Sequence, residues 1–227
     1  MALTCESVCS KCGGSGHIVR RSETGEVFSR PCRCEVERQN RRRLERSGLA
    51  PVLDKYTFAS YQIAEPWQGA IKKMARQYTE EKGGKWFFIG GKSGTGKTHI
   101  CTAVCGALMA RGMPCRYISW RTDSVALKAV VNDVDAYRHA MEPLRNVRVL
   151  YIDDFLKGAP TEADRNLVFD LINYRYTQPR AITIFSTEYT LDRVLDWDEA
   201  IGGRIAERCG EYVFNVVGKN NWRLEHD

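Results

Sequence analysis

The pattern of apolar and polar positions changes near residue 56. From there onward, short apolar runs alternate with longer amphipathic segments, which predicts alternating strands and helices. The predicted strands are KWFFIGG, CRYISW, VRVLYIDD, AITIFSTE and EYVFNVV. Because strands that are separated by helices pair in parallel, the pattern predicts an α/β fold with helices on both faces of a parallel sheet.

Four helical segments are predicted between these strands: THICTAVCGALMARG, residues 124–141, residues 162–176 and residues 191–208. A fifth helix is predicted over the charged stretch EVERQNRRRLERSG near the start of the chain. The stretch ends at Gly48 and Pro51 lies just beyond it; both are typical stop signals for a helix.

Composition limits the possible classes of protein. A chain of 227 residues with 43% hydrophobic residues can build one mid-sized core with a small appendage. No apolar run approaches the roughly 20 residues that a membrane helix needs, and residues 1–8 lack an apolar signal segment. We therefore expect a cytoplasmic protein with no membrane partner. The net charge of +6 is too modest to indicate nucleic-acid binding by itself.

The segment GKSGTGKT fits the phosphate-binding pattern G-x-x-x-x-G-K-[ST] at every fixed position. It directly follows a predicted strand and precedes a helix, so backbone amides and the helix N-terminus can surround a polyphosphate. In this motif Lys97 binds the β- and γ-phosphates and Thr98 is a Mg²⁺ ligand. We predict that a nucleoside triphosphate binds the whole loop: Gly91, Lys92, Ser93, Gly94, Thr95, Gly96, Lys97 and Thr98.

A later strand, VLYIDDF, ends in two carboxylates. Because side chains alternate along a strand, Asp153 and Asp154 are expected to point to different sides. We assign Asp153, with Thr98, to the Mg²⁺ site through water, and Asp154 to orienting or deprotonating the attacking water. A pair of aspartates that only begins a turn is the alternative.

Polar residues at the end of the strand AITIFSTE could sense a γ-phosphate: Ser186, Thr187 and Glu188. Our candidate is Thr187, although polar residues end many strands. Further on, Arg204 and Arg208 stand four residues apart on one helical face. An arginine can stabilise the charge of phosphoryl transfer in a neighbouring subunit, whereas pairing with a nearby carboxylate such as Glu207 is the ordinary alternative.

Five of the nine cysteines crowd the first 34 residues: Cys5, Cys9, Cys12, Cys32 and Cys34. The spacing C-x-x-C-G, followed by C-x-C, predicts a structural Zn²⁺ bound by Cys9, Cys12, Cys32 and Cys34. Since the second half is shorter than usual, Cys5 or His17 could replace one ligand. So polar a segment is expected to need the metal to fold. We expect the scattered cysteines in the core: Cys101, Cys105, Cys115 and Cys209.

In their order along the chain, these motifs resemble DnaC/DnaI-type replicative helicase loaders and their phage-encoded relatives, which are AAA+ ATPases of the IstB-like superfamily. The resemblance covers about three quarters of the chain, through KYTFASYQ, GKSGTGKTHICTAV, VLYIDDFLKG, TIFSTEYTLDRV, IGGRIAERC and NNWRL. The cysteine-rich start is similar to the zinc-binding, helicase-docking domain on the DnaI side of the family.

The resemblance implies a five-stranded sheet in which the sensor strand separates the phosphate-loop strand from the VLYIDD strand. It implies ATP, Mg²⁺ and Zn²⁺ as cofactors, and Arg204 as an arginine that acts on a neighbour's ATP after self-association through composite sites. Arg223 is a weak match to a nucleotide-sensing residue. Asp154 and Thr187 stand where glutamate and asparagine are frequent, which leaves the hydrolysis rate open. Because about ten residues follow the last predicted strand, we expect no C-terminal helical lid.

The implied function is an ATPase that binds a hexameric replicative helicase and loads it on single-stranded DNA. Residues 1–50 would form a zinc-binding and helicase-docking module, and residues 51–227 the AAA+ domain. Within residues 121–146, Lys128, Arg138 and Arg145 are candidate DNA contacts. One alternative is an IstB-like transposition helper that binds duplex DNA and a transposase. Another is a non-catalytic adaptor in which ATP only stabilises the structure.

Overall fold

A two-stranded antiparallel hairpin begins near the first described residues. The computed structural model describes residues 9–22, 25–46 and 50–217. Strands β1 (His17–Arg21) and β2 (Val27–Pro31) form the hairpin, which α1 (Arg33–Arg46) and the short α2 (Ala50–Leu53) follow. The hairpin was not predicted, because its side chains are almost all exposed and no alternation of apolar positions marks it.

Five parallel strands form the central sheet in the order β4-β5-β6-β3-β7. They are β3 (Phe87–Gly91), β4 (Cys115–Ser119), β5 (Val149–Phe155), β6 (Ile182–Thr187) and β7 (Val213–Val216). The pairing is parallel throughout. Strand β6 therefore separates β3 from β5, which is the order that the resemblance implied. The predicted α/β class, with this strand order, is confirmed.

Seven helices accompany the sheet within the described chain: α3 (Pro66–Thr79), α4 (Lys97–Ala110), α5 (Trp120–Ala129), α6 (Val134–Asn146), α7 (Glu162–Tyr176), α8 (Leu191–Trp197) and α9 (Glu199–Cys209). The prediction of one helix over residues 124–141 was wrong. The helical conformation is interrupted at residues 130–133. There the Asp133 side chain accepts hydrogen bonds from the amides of Asp135 and Ala136 and so caps a new helix.

The core lies on both faces of the sheet. In β3, Phe87 and Ile89 pack into the cluster formed with α3 and α4, whereas Phe88 packs into the opposite cluster with α7 and α9. All five residues of β3 are buried, as expected for a strand that is covered on both sides. The four cysteines predicted to be core residues are buried, which confirms that expectation: Cys101, Cys105, Cys115 and Cys209.

Helix α1 connects the hairpin to this core. It lies against the edge strand β4 and also contacts α2 and α4, so it covers an edge that would otherwise be open to pairing. An ion pair of 3.4 Å between Arg41 of α1 and Asp54, which directly follows α2, adds to the contact between these two helices. Among the described helices, none combines the length and the apolar character that crossing a membrane requires.

Candidate nucleotide site and cysteine cluster

The loop between β3 and α4 turns sharply because glycines occupy three left-handed positions. The φ angles are +134° at Gly91, +77° at Gly94 and +79° at Gly96. A Cβ atom at Gly91 would lie 2.2 Å from the backbone oxygen of Val216, so only glycine fits beside β7. The loop is therefore a backbone cradle that opens toward the carboxyl end of the sheet.

Lys97 lies inside this cradle. Its Nζ donates to the backbone oxygens of Gly91 and Lys92, both at 2.7 Å, and the side chain is 8% exposed. Desolvation lowers the pKa of Lys97, although the negative charges of Glu188 and Asp154 oppose this effect. A bound polyphosphate would offer this ammonium an anionic partner in place of neutral carbonyls.

Three hydroxyl groups converge on the Asp153 carboxylate at the end of β5. The distance from Thr98 Oγ1 to Asp153 Oδ1 is 3.2 Å, and that from the Tyr117 hydroxyl to Asp153 Oδ2 is 3.4 Å. Ser186 also donates to this carboxylate. A hydroxyl and a carboxylate side by side are the oxygen ligands that Mg²⁺ prefers, so Thr98 and Asp153 fit the predicted metal site.

Asp154 points into the same space, but it has a cationic partner. Lys157 Nζ lies 3.1 Å from Asp154 Oδ1 and 3.1 Å from Glu188 Oε1. Sequence reasoning named Asp154 and considered Glu188, but it missed Lys157. In the sequence Lys157 is only a lysine three residues after Asp154. No known spacing of residues assigns a lysine at that position to a nucleotide site.

A cavity of about 690 Å³ joins these groups, with most of the phosphate loop in its wall. A second part of the wall comes from the segment that precedes α3, in which Tyr56 stacks on His99 at 4.7 Å between ring centroids. Desolvation raises the pKa of Tyr61 to about 12, and its buried hydroxyl lacks a hydrogen-bond partner among the described residues. The volume, the cradle and this unpaired donor fit a nucleoside triphosphate.

The aromatic part of the wall was not predicted as a binding surface. The segment KYTFASYQ supported only the family resemblance, since neither charge nor spacing marks it as part of a ligand site. Tertiary packing brings it to the phosphate loop: His99 Nε2 lies 3.0 Å from the backbone oxygen of Thr57. Tyr56 and Tyr61 thereby border the space next to α4.

The structure does not bring Thr187 into the cavity. Its side chain is fully buried, its hydroxyl donates to the backbone oxygen of Phe155 at 2.6 Å, and it accepts from the amide of Tyr189 at 3.0 Å. The hydroxyl is therefore occupied in joining β5 to β6. Its neighbour Glu188 lines the cavity instead, so geometry does not support the predicted sensor role of Thr187.

The two arginines of α9 have different surroundings. Arg208 donates to backbone oxygens at the end of α7 and in the loops before β3 and β6, namely those of Tyr176, Gln178, Gly84, Pro179 and Ala181. Arg204 donates only to Ala200 of its own helix and lies over the rings of Phe169 and Tyr176. Within the described chain Arg204 forms no ion pair. The structure thus leaves Arg204, and not Arg208, available to a neighbour.

All three candidate DNA contacts have acidic partners, and two of these pairs are partly buried. Lys128 lies 2.7 Å from Asp164, and Arg145 lies 2.5 Å from Asp170. Arg138 is mostly exposed and has a 3.4 Å contact with Asp135 on its own helix. Only Arg138 remains a prominent exposed cation of the three.

The four predicted zinc ligands come together at the base of the hairpin. The Sγ atoms of Cys9, Cys12, Cys32 and Cys34 all lie within 4.8 Å of one another. Cys9 and Cys32 are 3.8 Å apart and Cys12 and Cys34 are 3.5 Å apart. A tetrahedral zinc with bonds of about 2.3 Å needs sulfur atoms about 3.8 Å apart, so the donor set fits Zn²⁺. We call residues 9–34, as far as they are described, the cysteine module.

Backbone geometry aims these thiols at one point. The amides of Cys12 and Gly13 both donate to the Cys9 oxygen, which forms the knuckle turn. His17 is exposed and its Nδ1 lies 3.4 Å from the Ser15 oxygen, outside the thiol group. The alternative in which His17 replaces one ligand is therefore not supported, and Cys5, the other alternative, lies outside the described residues.

These features define a P-loop nucleotide-binding fold of the AAA+ type with an added cysteine module. The chain belongs to the family of IstB-like ATP binding proteins, whose sequence profile matches residues 33–208. It is 28% identical to the replicative helicase loader DnaC of Escherichia coli, over 92% of this chain and 86% of DnaC. The phage-like element PBSX protein XkdC of Bacillus subtilis is 29% identical, over 96% of this chain and 86% of XkdC.

A solved structure shares the fold. The crystal structure of DnaI superposes with a TM-score of 0.58 at 17% identity, over 70% of this chain and 89% of the DnaI chain. At that identity the likeness concerns the fold alone. With the family match and the similarity to DnaC, the resemblance to DnaC/DnaI-type AAA+ loaders is confirmed.

Proposed function

We propose that this protein is an ATPase that binds a replicative DNA helicase and places it on single-stranded DNA. The observation that carries the proposal is that one chain joins a phosphate-loop cavity to a four-thiol module. That chain is similar to the E. coli helicase loader DnaC over 92% of its length.

In the ATPase reaction, the loop amides and Lys97 would bind the phosphates, and Thr98 and Asp153 would hold the metal. Mg²⁺, when bound, neutralises phosphate charge. Asp154 would orient the attacking water. Because Lys157 pairs with Asp154 in this structure, we expect hydrolysis to be slow until a partner changes that contact.

A composite site would complete the reaction. Arg204 lies outside the chain's own cavity, stacked on Phe169 and Tyr176. A second copy packed with its α9 against that cavity would present Arg204 to the bound nucleotide. Self-association is therefore part of the proposal.

Residues 1–50 would dock on the helicase, and residues 51–227 would form the ATPase domain. The hairpin offers exposed apolar side chains, in particular Phe28 at 57% and Val19 at 64% exposure. With almost no core of its own, the hairpin would be held by Zn²⁺ while these side chains contact the partner.

Capture of the full-length protein on immobilised replicative helicase, with and without ATP, tests this function. We expect ATP-dependent capture, and we expect Phe28→Ser to weaken it about tenfold, since a large apolar side chain is worth about 1.5–3 kcal/mol when buried. Val131→Ser removes an equally exposed apolar group outside the module and should leave capture unchanged. Absence of capture by the unmodified protein would exclude the loader function.

The resemblance to IstB-like proteins that the sequence motifs indicate leaves a second candidate, a transposition helper that acts on duplex DNA. Binding to single-stranded and duplex DNA of the same length, measured at several salt concentrations, separates the two. A loader should prefer single strands, whereas a strong ATP-dependent preference for duplex would favour the transposition helper.

A further inference from the structure

Lys157 gives the nucleotide cavity a cation that the phosphate-loop motif does not include. Its ammonium joins two carboxylates, Asp154 at the end of β5 and Glu188 after β6, both at 3.1 Å. The described charged residues that line the cavity are three lysines and three carboxylates, namely Lys55, Lys97, Lys157, Asp153, Asp154 and Glu188. Charge in this wall is therefore balanced only while Lys157 is present.

An unusual backbone holds Lys157 in this position. Asp154 and Leu156 have positive φ angles of 51° and 59°, each of which costs roughly 1 kcal/mol for a residue with a side chain. Phe155 and Leu156 are fully buried and secure the turn, and the Lys157 amide donates to the Asp154 oxygen at 2.9 Å. The turn directs both Asp154 and Lys157 into one cavity, and strain of this kind is concentrated at functional sites.

The two inner lysines have different environments. Lys97 is buried in the loop and bonded to backbone carbonyls, whereas Lys157 is bonded to the carboxylate that we assign to the attacking water. Both ammonium groups line the same cavity. Lys157 is thus the cation at the hydrolytic end of the site.

We infer that Lys157 is the residue by which this site distinguishes a nucleoside triphosphate from a diphosphate. The inference rests on the proposed nucleotide site and adds a specificity-determining residue to it. A triphosphate brings additional negative charge to the end of the site where Asp154 and Glu188 lie. With Lys157 in place that charge meets a cation, whereas without it the charge meets two unpaired carboxylates.

Calorimetric titration of the full-length protein with ADP and with a non-hydrolysable ATP analogue, both with Mg²⁺, tests the inference. For Lys157→Met we expect Kd for the ATP analogue to rise about tenfold, as for the loss of one charge-assisted hydrogen bond. Kd for ADP should change less than about twofold. Lys157→Arg should restore discrimination, and Lys73→Met, at an exposed position on α3, should change neither constant.

Equal weakening of both nucleotides, or no change in either, would overturn the assignment of Lys157. Lys157→Gln keeps hydrogen-bond donors for the two carboxylates, so it provides a neutral variant if Lys157→Met does not fold, and a thermal melt identifies such a failure. If the unmodified protein binds neither nucleotide, the proposed function fails as well. If it binds both, a negative result at Lys157 leaves that function intact.

Discussion

In the cysteine module the two strands are almost entirely exposed and four thiols fix the geometry, whereas the nucleotide site lies where buried strands end against packed helices. The first site is built from residues close in sequence, and we propose that one zinc ion holds it together. The second assembles groups from the loop after β3, the ends of β5 and β6 and the segment before α3. A local site can tolerate changes in the core, but a site at strand ends depends on the whole sheet.

Removal of zinc should have the largest effect and should be confined to the cysteine module. Structural zinc supplies on the order of 10 kcal/mol of folding free energy, and the exposed hairpin has little else to hold it. After chelation, or in Cys32→Ser, amide exchange should lose its protection in β1 and β2, while ATP affinity stays within about twofold.

Cys105→Ser is the matched control, because this thiol is buried in the core and lies outside the cluster. It should retain one zinc per chain by elemental analysis and should lower the melting temperature of the core instead. If β1 and β2 stay protected from amide exchange after chelation, zinc is not what holds the cysteine module together.

Replacement of Arg204 should have the next largest effect. It should lower ATP turnover and leave the stability of the protein unchanged. Arg204→Ala removes a side chain that we assign to a neighbour's site, so ATP turnover should fall about 10³-fold with an unchanged melting temperature. Arg208→Ala on the same helix should lower the melting temperature, since it removes hydrogen bonds to five backbone oxygens.

Mixing Arg204→Ala with Lys97→Ala provides a sharper measurement. Composite sites that combine an intact Lys97 from one copy with an intact Arg204 from the other should regain part of the turnover. Full activity of Arg204→Ala alone would show that no arginine acts in trans from this position.

Replacement of Lys97 should weaken nucleotide binding without affecting the cysteine module. Lys97→Ala removes the buried ammonium from the phosphate loop, which we expect to cost about 2–3 kcal/mol, or roughly 100-fold in Kd. Zinc content and hairpin protection should not change. A loss of zinc in this variant would show that the two regions are coupled.

A fall in pH should produce the smallest effect, and we expect it to lower only the folding stability of the core. Desolvation raises the pKa of Asp164, but hydrogen bonds from Lys128 and Thr161 outweigh it and leave the pKa below its ordinary value. The folded state therefore gains stability from this carboxylate above the unfolded pKa near 3.8 and loses it as pH falls through the lower folded value.

Urea midpoints between pH 5 and pH 2.5 measure this contribution. Asp164→Asn should flatten the decline with acid relative to the unmodified protein, whereas Asp135→Asn, at an exposed position, should not. An identical pH profile for Asp164→Asn would show that the Lys128–Asp164 pair adds nothing to stability.

Much of this architecture could be predicted because its signals are local. The apolar runs of β3, β5 and β6 indicated strands buried on both sides, and the loop motif indicated a phosphate cradle before its φ angles were known. The break between α5 and α6 was missed because the capping signal of Asp133 is weaker than the helical pattern around it. The hairpin was missed because an exposed strand has no apolar period.

The sequence by itself determined which residue types could bind phosphate, magnesium and zinc, since those chemistries depend on short spacings along the chain. Only the tertiary structure decided which candidates share a site. It placed Lys157 beside Asp154, turned Thr187 into the sheet and committed Arg208 to backbone oxygens, while Arg204 has no ion pair among the described residues. The physical reason is that hydrogen bonds and burial between distant segments depend on how the sheet and helices pack, and spacing along the chain does not encode that packing.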